Sequence, residues 1–295
     1  MAARMSPLPY PGGKGRFASR ISALLPEPRA HWTYCEPFCG SASVLLSRLP
    51  AGLEVINDAN ADLMTFFQVL RDRGEELQEY LRNVPYARSL YEEWAPADYV
   101  PSTDIERAAR VFFLARASML AAWQRPAPTG FAVAKGEDRP GAMANAVEDL
   151  LHVRDRLRRV VLENDDALAV IRRYDSENAV FYCDPPYLSH VDSKSPNYQH
   201  RFSEEQHVQL LQTLKSAKGF VALSGYPSEL YAELLETEGW TRVDFHTTSQ
   251  QVRPRGGSSS QANKSRAEAV WLNPRLAAHA GDGKAISPPP AISPQ

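Results

Sequence analysis

The stretch that decides the fold runs from Ala179 to Tyr187 and reads Ala-Val-Phe-Tyr-Cys-Asp-Pro-Pro-Tyr. Its first five residues form the short apolar run that is typical of a buried strand. Asp184, Pro185, Pro186 and Tyr187 follow directly, at the carboxyl end of that strand. Open α/β sheets bind their ligands at this edge. We therefore expect an α/β protein with its site beside Asp184.

The residues that end this run also indicate a chemistry. Two consecutive prolines stiffen the backbone and remove two N–H donors, so that the carbonyl groups there can face a ligand. A carboxylate, a fixed carbonyl and an aromatic ring can together hold a flat base that carries an amino group. The combination favours methyl transfer to an exocyclic amine. The alternative is a strand followed by a Pro-Pro turn with a surface tyrosine, because short motifs also arise by chance.

The composition is that of an ordinary soluble globular protein, with 295 residues, 43% hydrophobic and 23% charged. No apolar run approaches the roughly 20 residues of a membrane span, and the N-terminus lacks an apolar secretory segment, which predicts a cytoplasmic protein. The cysteines show neither disulfide spacing nor a Cys/His cluster, so we expect no metal. The net charge of −2 leaves nucleic-acid binding open, because a site-specific enzyme needs only a local basic face.

The pattern of strands and helices predicts one α/β domain that is interrupted by a helical segment. Strand-like runs at 34–37 and 55–58 are each followed by a helical stretch, which indicates a parallel sheet. The alternation stops at residue 72 and resumes at residue 160, and it ends in an antiparallel pair near 243–247 and 267–272. We predict an α/β domain formed by residues 1–71 and 160–274, a helical insertion at 72–159 and a disordered tail at 275–295. Within the insertion, a capping box at Thr103-x-x-Glu106 should begin a helix that reaches about Trp123.

Two glycine-containing turns precede the central stretch. Glu36-Pro-Phe-Cys-Gly40 follows the first strand, and Asp58 comes after Gly40 at about the spacing of the ribose-binding acid in dinucleotide folds. A single glycine is a weak fingerprint, and an ordinary βα turn explains it equally well. Tyr10-Pro-Gly-Gly-Lys14 lacks the spacing of a phosphate loop. Its Lys14 could meet a carboxylate, and its Tyr10 could stack on a ring.

These motifs occur in an order that characterises a known family. They are Tyr10-Pro-Gly-Gly-Lys14, Glu36-Pro-Phe-Cys-Gly40, Asp58, Asn164-Asp165-Asp166, Asp184-Pro-Pro-Tyr187, Ser224-Gly225-Tyr226 and the segment from Arg266 through Glu268 to Pro274. Their order and content resemble the Dam-like, alpha-group DNA adenine-N6 methyltransferases over residues 8–274, apart from most of the helical insertion. Two positions differ, because Ala42 stands where the family usually has a second glycine and Tyr10 where tryptophan is common.

The resemblance implies a Rossmann-like, S-adenosylmethionine-dependent methyltransferase sheet with a helical target-recognition insertion. The reaction would methylate N6 of an adenine flipped out of double-stranded DNA, without a metal. The implied catalytic residues are Asp184, Pro185, Pro186 and Tyr187. The implied S-adenosylmethionine contacts are Tyr10, Lys14 (to the methionine carboxylate), Glu36, Phe38, Gly40, Asp58 (to the ribose), Asp166 (near the adenine) and Asp184. A cognate restriction endonuclease would be a partner of such an enzyme.

Cations for contacts with DNA are expected in two loops. Arg253, Arg255, Lys264 and Arg266 occupy an acid-free, Gly/Ser-rich stretch that should contact phosphates without reading sequence. Its alternative is a solvated hairpin tip. The Pro/Gly-rich loop at 124–141 of the insertion holds Arg125, Lys135 and Arg139, which should help to select the adenine.

Two other functions remain open. An N4-cytosine methyltransferase could use the same Asp-Pro-Pro-Tyr site, because cytosine also carries an exocyclic amine. A non-catalytic nucleic-acid-binding module could have kept the fold without the reaction. Protein-glutamine or RNA methylation is less favoured, since the former typically has asparagine at the position of Asp184. The lone His207, inside a predicted helix, is interpreted as a packing or surface residue rather than a catalyst.

Overall fold

A single mixed sheet forms the centre of the protein. The computed structural model describes residues 6–10, 14–119, 129–188, 202–245 and 268–283. In these ranges seven strands join in the order β3-β2-β1-β4-β5-β7-β6. They are β1 (Thr33–Glu36), β2 (Leu53–Asn57), β3 (Val160–Glu163), β4 (Ala179–Cys183), β5 (Phe220–Gly225), β6 (Thr241–Phe245) and β7 (Glu268–Leu272).

Helices pack on both faces of this sheet and form the insertion. They are α1 (Ala18–Leu24), α2 (Ser43–Ser47), α3 (Ala61–Asp72), α4 (Gly74–Arg82), α5 (Arg88–Trp94), α6 (Asp104–Ala117), α7 (Arg139–Glu148), α8 (Leu150–Leu157), α9 (Ala167–Tyr174), α10 (Glu204–Lys215), α11 (Glu229–Leu234) and α12 (Pro274–Gly283). A short 3-10 helix at Lys14–Arg16 precedes α1. None of the helices in the described ranges has the length and apolar character needed to cross a membrane.

The strand pairing places a switch point between β1 and β4, at the centre of the sheet. Strand β1 pairs in parallel with both β2 and β4, and the parallel order extends to β3 on one side and β5 on the other. Strand β7 runs antiparallel to β5 and β6. The strands that follow β1 in the chain are added on one side of it up to β3 and on the other side from β4. Open sheets of this kind bind ligands at the point where the order reverses. The predicted Rossmann-like α/β sheet and its terminal antiparallel pair are confirmed.

The insertion is helical in its described part, and it packs directly on the α/β domain. Helix α6 begins where predicted, because the Thr103 hydroxyl accepts a hydrogen bond from the Glu106 N–H at 3.1 Å. Only this half of the predicted capping box forms, since the Glu106 carboxylate accepts instead from the N–H of Ser102 at 2.8 Å. It ends at Ala117 and not near Trp123, because Ser118 adopts an extended backbone and forms an isolated bridge with Phe131. The apolar faces of α4 and α6 join the same core as α2, α3 and β2.

A buried ion pair also connects the insertion to the sheet. The guanidinium of Arg156 in α8 contacts both carboxylate oxygens of Glu54 in β2, at 2.5 and 2.7 Å. Only 2% of the Glu54 side chain and 11% of the Arg156 side chain are exposed. Removing one partner of such a pair would leave a buried charge, which is strongly destabilising. Arg156 is therefore an anchor of the insertion.

The chain after β7 departs from the prediction of a disordered tail. Asn273 is buried, and its Oδ1 accepts hydrogen bonds from the N–H groups of Leu276 at 3.0 Å and Val221 at 3.2 Å. This side chain starts α12, whose Leu276 is fully buried. The prediction is wrong for residues 275–283, because a cap and one apolar anchor hold a helix that shows no clear periodicity. Residues 284–295 lie outside the described ranges.

Candidate active site

Four acidic residues that the sequence placed in the site follow neighbouring strands. Glu36 ends β1, Asp58 comes directly after β2, and Asp184 comes directly after β4. Asp166 follows β3 after a short turn. Since parallel strands end at the same edge of a sheet, the fold brings these residues to one side of the molecule. The register pairs Cys35 of β1 with Phe181 of β4, so that Asp184 lies two residues beyond Tyr182, the position opposite Glu36.

The two carboxylate oxygens of Asp184 have different surroundings. Oδ2 lies 3.0 Å from the Nζ of Lys14. Oδ1 is buried, and none of the described residues donates a hydrogen bond to it. A buried acceptor without a donor is unfavourable, and most buried polar atoms in proteins have a partner. Oδ1 is therefore suited to accept an N–H that a ligand brings.

Lys14 is the centre of a small buried cluster of charges and rings. Its side chain is only 6% exposed, and its Nζ lies 3.7 Å from Oε2 of Glu268 and 4.7 Å above the ring of Tyr187. Burial by itself would lower the pKa of Lys14, but the Asp184 and Glu268 carboxylates outweigh it and raise the pKa above its usual value. The ammonium group therefore stays charged and can fix the orientation of Asp184.

Two aromatic side chains adjoin this cluster. Tyr187, the last residue of the Asp-Pro-Pro-Tyr motif, meets Tyr226 edge-on, with 4.5 Å between ring centroids. Tyr226 directly follows β5, which is the neighbour of β4. Gly225, which precedes Tyr226, lies close to two other rings, because a Cβ there would be 3.2 Å from the ring of Tyr231 and 3.3 Å from that of Trp271. The site thus has two aromatic rings, inclined by 71° to each other, beside the pair formed by Lys14 and Asp184.

The turn after β1 brings three of the predicted cofactor contacts together. Gly40 has a φ of +48°, and a Cβ at this position would lie 3.0 Å from Cε1 of Tyr10. The N–H of Gly40 donates to Oδ2 of Asp58 at 3.1 Å. Ala42 also has a positive φ, +52°, a conformation that costs an L-residue about 1–2 kcal/mol. Strain of this kind is often found at ligand-binding turns.

The buried carboxyl group of Glu36 stabilises this turn by hydrogen bonds to its two flanking elements, β1 and α2. Its Oε1 accepts hydrogen bonds from the Tyr34 hydroxyl at 2.8 Å and from the N–H of Leu45 in α2 at 2.6 Å. Burial raises the pKa of Glu36 to about 8, although both hydrogen bonds oppose that rise. The half-buried ring of Phe38 meets Phe202 edge-on at 5.7 Å. Glu36 therefore ties the end of β1 to the start of α2.

The match to a known family follows the same elements. Residues 10–248 match the D12 class of N6 adenine-specific DNA methyltransferases. The chain belongs to this family. The predicted family and the predicted reaction, methylation of adenine N6 in DNA, are thereby confirmed. The match includes the turn after β1, Asp58, the insertion and Asp184.

Two proteins similar in sequence carry related names. The type II methyltransferase M1.LlaDCHI of Lactococcus lactis subsp. cremoris is 27% identical over 269 residues, which cover 86% of this chain and 90% of that protein. The DNA N-6-adenine-methyltransferase of Escherichia phage P1 is 28% identical over 244 residues, which cover 75% of this chain. The matched region makes up only 30% of the phage protein.

Solved structures add little to this comparison. The rRNA methyltransferase aviRa from Streptomyces viridochromogenes is 14% identical and matches with a TM-score of 0.38, over 89% of this chain and 86% of that protein. A second structure of aviRa gives a TM-score of 0.34. The fold assignment of the D12 methyltransferase therefore rests on its own strand order.

Sequence reasoning missed three residues of the methyltransferase that the structure brings to the site. Asn57 is the last residue of β2 and is fully buried. Its Nδ2 donates to the carbonyl of Pro37 at 2.9 Å and to that of Asp165 at 3.1 Å. Its Oδ1 accepts from the Asp165 N–H at 2.9 Å. Tyr226 and Glu268 are the other two. The position of Asn57 and Tyr226 at strand ends was a usable signal. Glu268 lay in the last motif of the family resemblance, but its contact with Lys14 depends on the folding of the sheet and could not be derived from the sequence.

The remaining predicted residues of the methyltransferase occupy less central positions. Asp166 is exposed, and its Oδ1 caps α9 by accepting from the N–H of Ala169 at 2.9 Å. Lys135 is exposed on a turn. Arg139 is the first residue of α7 and does not lie in a loop as predicted, because the Asp138 carboxylate caps that helix. The Arg139 guanidinium forms an ion pair with Glu137 at 2.8 Å. The predicted DNA contacts outside the described residues are Arg125, Arg253, Arg255, Lys264 and Arg266.

Two expectations about other chemistry concern His207 and metals. His207 is buried, and its Nδ1 lies 3.0 Å from the Tyr231 hydroxyl. Burial lowers the pKa of His207 to about 4, although a contact with the Pro186 backbone opposes that change, so the ring is neutral at pH 7. Of the two predicted positions, packing or surface, the structure shows the buried one. Within the described ranges, no group of three or more His, Cys, Asp or Glu residues could hold a metal ion.

Proposed function

We propose that the methyltransferase uses S-adenosylmethionine to methylate N6 of an adenine flipped out of double-stranded DNA, with Asp184 as the residue that holds the amine. The observation that carries this proposal is the asymmetry of the Asp184 carboxylate. Oδ2 is held by Lys14, whereas Oδ1 is buried and accepts from none of the described residues. An exocyclic amine would supply the missing donor.

The residues around Gly40 fit S-adenosylmethionine. The ring of Tyr10 lies against Gly40, and the Asp58 carboxylate lies beside the same turn. We propose that Tyr10, Glu36, Phe38 and Gly40 form the wall of the cofactor pocket, while Asp58 accepts from the ribose hydroxyls and Asp166 lies near the adenine ring. The bound cofactor supplies a methyl group that its sulfonium already activates.

The Lys14 ammonium is proposed to contact both Asp184 and the cofactor. An ammonium group has three donors, and that of Lys14 forms ion pairs with Asp184 and Glu268. We place its main contact at Asp184, where it fixes the carboxylate. The methionine carboxylate expected from the family resemblance would be a further partner of the same group.

The chemistry of the chain's own residues is mainly positioning. The N6 lone pair of adenine is delocalised into the ring, which makes the amine a poor nucleophile. Hydrogen bonds from the amine to Oδ1 of Asp184 and to the Pro185 carbonyl would favour a tetrahedral nitrogen, and they strengthen as positive charge develops on it. Pro185 and Pro186 keep that carbonyl in place. Tyr187, supported at its edge by Tyr226, would stack on the flipped base.

Contacts with DNA are proposed for two groups of cations. Lys135 and Arg139, with Arg125, are proposed to approach the DNA from the insertion and to influence which adenine is selected. Arg253, Arg255, Lys264 and Arg266 are proposed to bind phosphates. The name of the Lactococcus relative supports a pairing with a restriction endonuclease. A cytoplasmic location, where the DNA substrate is found, stays part of the proposal.

Identification of the methylated base tests this function. Purified protein is incubated with S-adenosylmethionine that carries a labelled methyl group and with plasmid DNA from a methylation-free host, and the digested nucleosides are separated. Label in N6-methyldeoxyadenosine is the expected result. Label in N4-methyldeoxycytidine would establish the cytosine alternative. Cofactor and DNA binding without any transfer of label would establish a non-catalytic module.

A further inference from the structure

Glu268 joins the catalytic cluster from a distant part of the sheet. It is the first residue of β7, which β5 separates from β4. Its Oε2 nevertheless lies 3.7 Å from the Nζ of Lys14, which also contacts Oδ2 of Asp184 at 3.0 Å. The side chain of Glu268 is 21% exposed and that of Asp184 is 19% exposed. Two partly buried carboxylates therefore share one buried ammonium group.

The balance of charge in this cluster affects what Asp184 can do. One cation paired with a single carboxylate would neutralise it and weaken it as an acceptor. One cation shared between two carboxylates leaves an excess negative charge, and in a partly buried site this charge is screened less than in water. Asp184 is proposed to accept hydrogen bonds from an amine on which positive charge develops, so its residual negative charge matters.

We propose that Glu268 is a positioning residue for methyl transfer, which shares the Lys14 ammonium so that Lys14 orients the Asp184 carboxylate without neutralising it. This inference rests on the proposed role of Asp184. It assigns to Glu268 no contact with the base or the cofactor. It predicts that loss of the Glu268 charge lowers the rate of the chemical step more than the affinity for either substrate.

The pH dependence of the reaction gives a readout that a merely structural role would not change. Within the part of the chain that the structure describes, the charged and titratable groups that face the Lys14 ammonium include Asp184, Glu268, the ring of Tyr187 and the hydroxyl of Tyr226. Burial favours the neutral form of Lys14, and the two carboxylates reverse that preference. Without the Glu268 charge, Lys14 should lose its proton at a lower pH. The alkaline limb of the kcat profile should then move to lower pH.

The test compares Glu268→Gln, which keeps the shape, with Glu268→Asp, which keeps the charge. We expect Glu268→Gln to lower kcat roughly 10- to 100-fold, the equivalent of one charge-assisted contact, with KM values for S-adenosylmethionine and DNA close to those of the parent. Glu268→Asp should recover part of kcat and the position of the alkaline limb. Asp244→Asn is the control, because it removes a carboxylate from β6 beside the partner position Ala269 and should leave kcat and pH profile unchanged.

The outcomes separate this inference from the function on which it rests. Parental kcat and pH profile in Glu268→Gln would overturn the inference. So would a loss of kcat that follows a lower Tm and leaves the alkaline limb in place, because that result describes a structural role. Asp184→Ala is measured in the same assay. If it retains turnover, the proposed role of Asp184 fails; if it is inactive while Glu268→Gln behaves like the parent, only the role of Glu268 fails.

Discussion

The ring of Tyr10 lies against Gly40, so closely that a Cβ at Gly40 would be 3.0 Å from Cε1 of the ring. Gly40 also has a positive φ of 48°, a conformation that L-residues rarely adopt. Two independent reasons therefore require glycine at this position. Both concern the turn whose N–H contacts Asp58, which is proposed to hold the cofactor.

Gly40→Ala should weaken binding of S-adenosylmethionine. The new methyl group would displace Tyr10, and the left-handed backbone would cost about 1–2 kcal/mol, which the turn can avoid only by moving away from Asp58. We expect roughly a 10-fold loss of affinity, measured by calorimetry. The control is Ala42→Gly, which relieves a positive φ of 52° in the same turn and should bind the cofactor like the parent. Equal affinity in Gly40→Ala would show that this turn is not in the cofactor pocket.

Asn57→Ala should damage both stability and cofactor binding, because one side chain joins the turns after β1 and β3. Its loss leaves the buried carbonyl of Pro37 without this donor, at a cost of about 1–3 kcal/mol. It also frees the turn that carries Asp166. Urea unfolding and cofactor titration measure the two effects. Asn83→Ala, which removes an exposed side-chain contact to the Glu79 carbonyl, is the control, and similar behaviour of both variants would refute the linking role.

Glu36→Gln should change how stability depends on pH. The Glu36 carboxyl has a pKa of about 8 in the folded protein, against an ordinary value of 4.5. Between these values the folded state holds a proton that the unfolded chain has lost, so stability falls as pH rises from about 4.5 to about 8. The whole contribution is on the order of 3–5 kcal/mol.

Glutamine stays neutral and can still accept the hydrogen bonds from Tyr34 and Leu45. The free energy of unfolding of Glu36→Gln should therefore decrease less than that of the parent between pH 5 and pH 8. Glu92→Gln, at an exposed position of α5, is the matched control and should keep the parental slope. A parental slope in Glu36→Gln as well would mean that Glu36 is ionised in the folded protein.

The sequence was most informative where function depends on local order. Asp184-Pro-Pro-Tyr187 follows an apolar run, and Asp58 follows a second one, so each could be placed at a strand end without knowledge of the sheet. The capped start of α6 was predictable for the same reason, because Thr103 and Glu106 are close in sequence. The end of α6 was not, since it depends on the pairing of Ser118 with Phe131.

Contacts across the sheet could not be derived from local patterns. Lys14 was expected to meet a carboxylate, but its two carboxylate partners are far from it in the chain: Asp184 follows β4, and Glu268 begins β7. The role of Asn57 was hidden for a related reason, because its side chain connects two turns that only the strand order makes neighbours. Helix α12 was missed because its start depends on the tertiary contacts of Asn273.

The proposed role of Asp184 in holding the amine is tested by the rate of a single methyl transfer by Asp184→Ala, with cofactor and DNA both saturating. Asp184 follows a strand end and keeps one oxygen without a donor among the described residues, so it should act mainly in the transition state. We predict loss of transfer by at least about 100-fold, with cofactor affinity close to the parent and a Tm lowered by the loss of one partner of the buried Lys14. A rate within a few-fold of the parent would show that Asp184 does not hold the amine in the transition state.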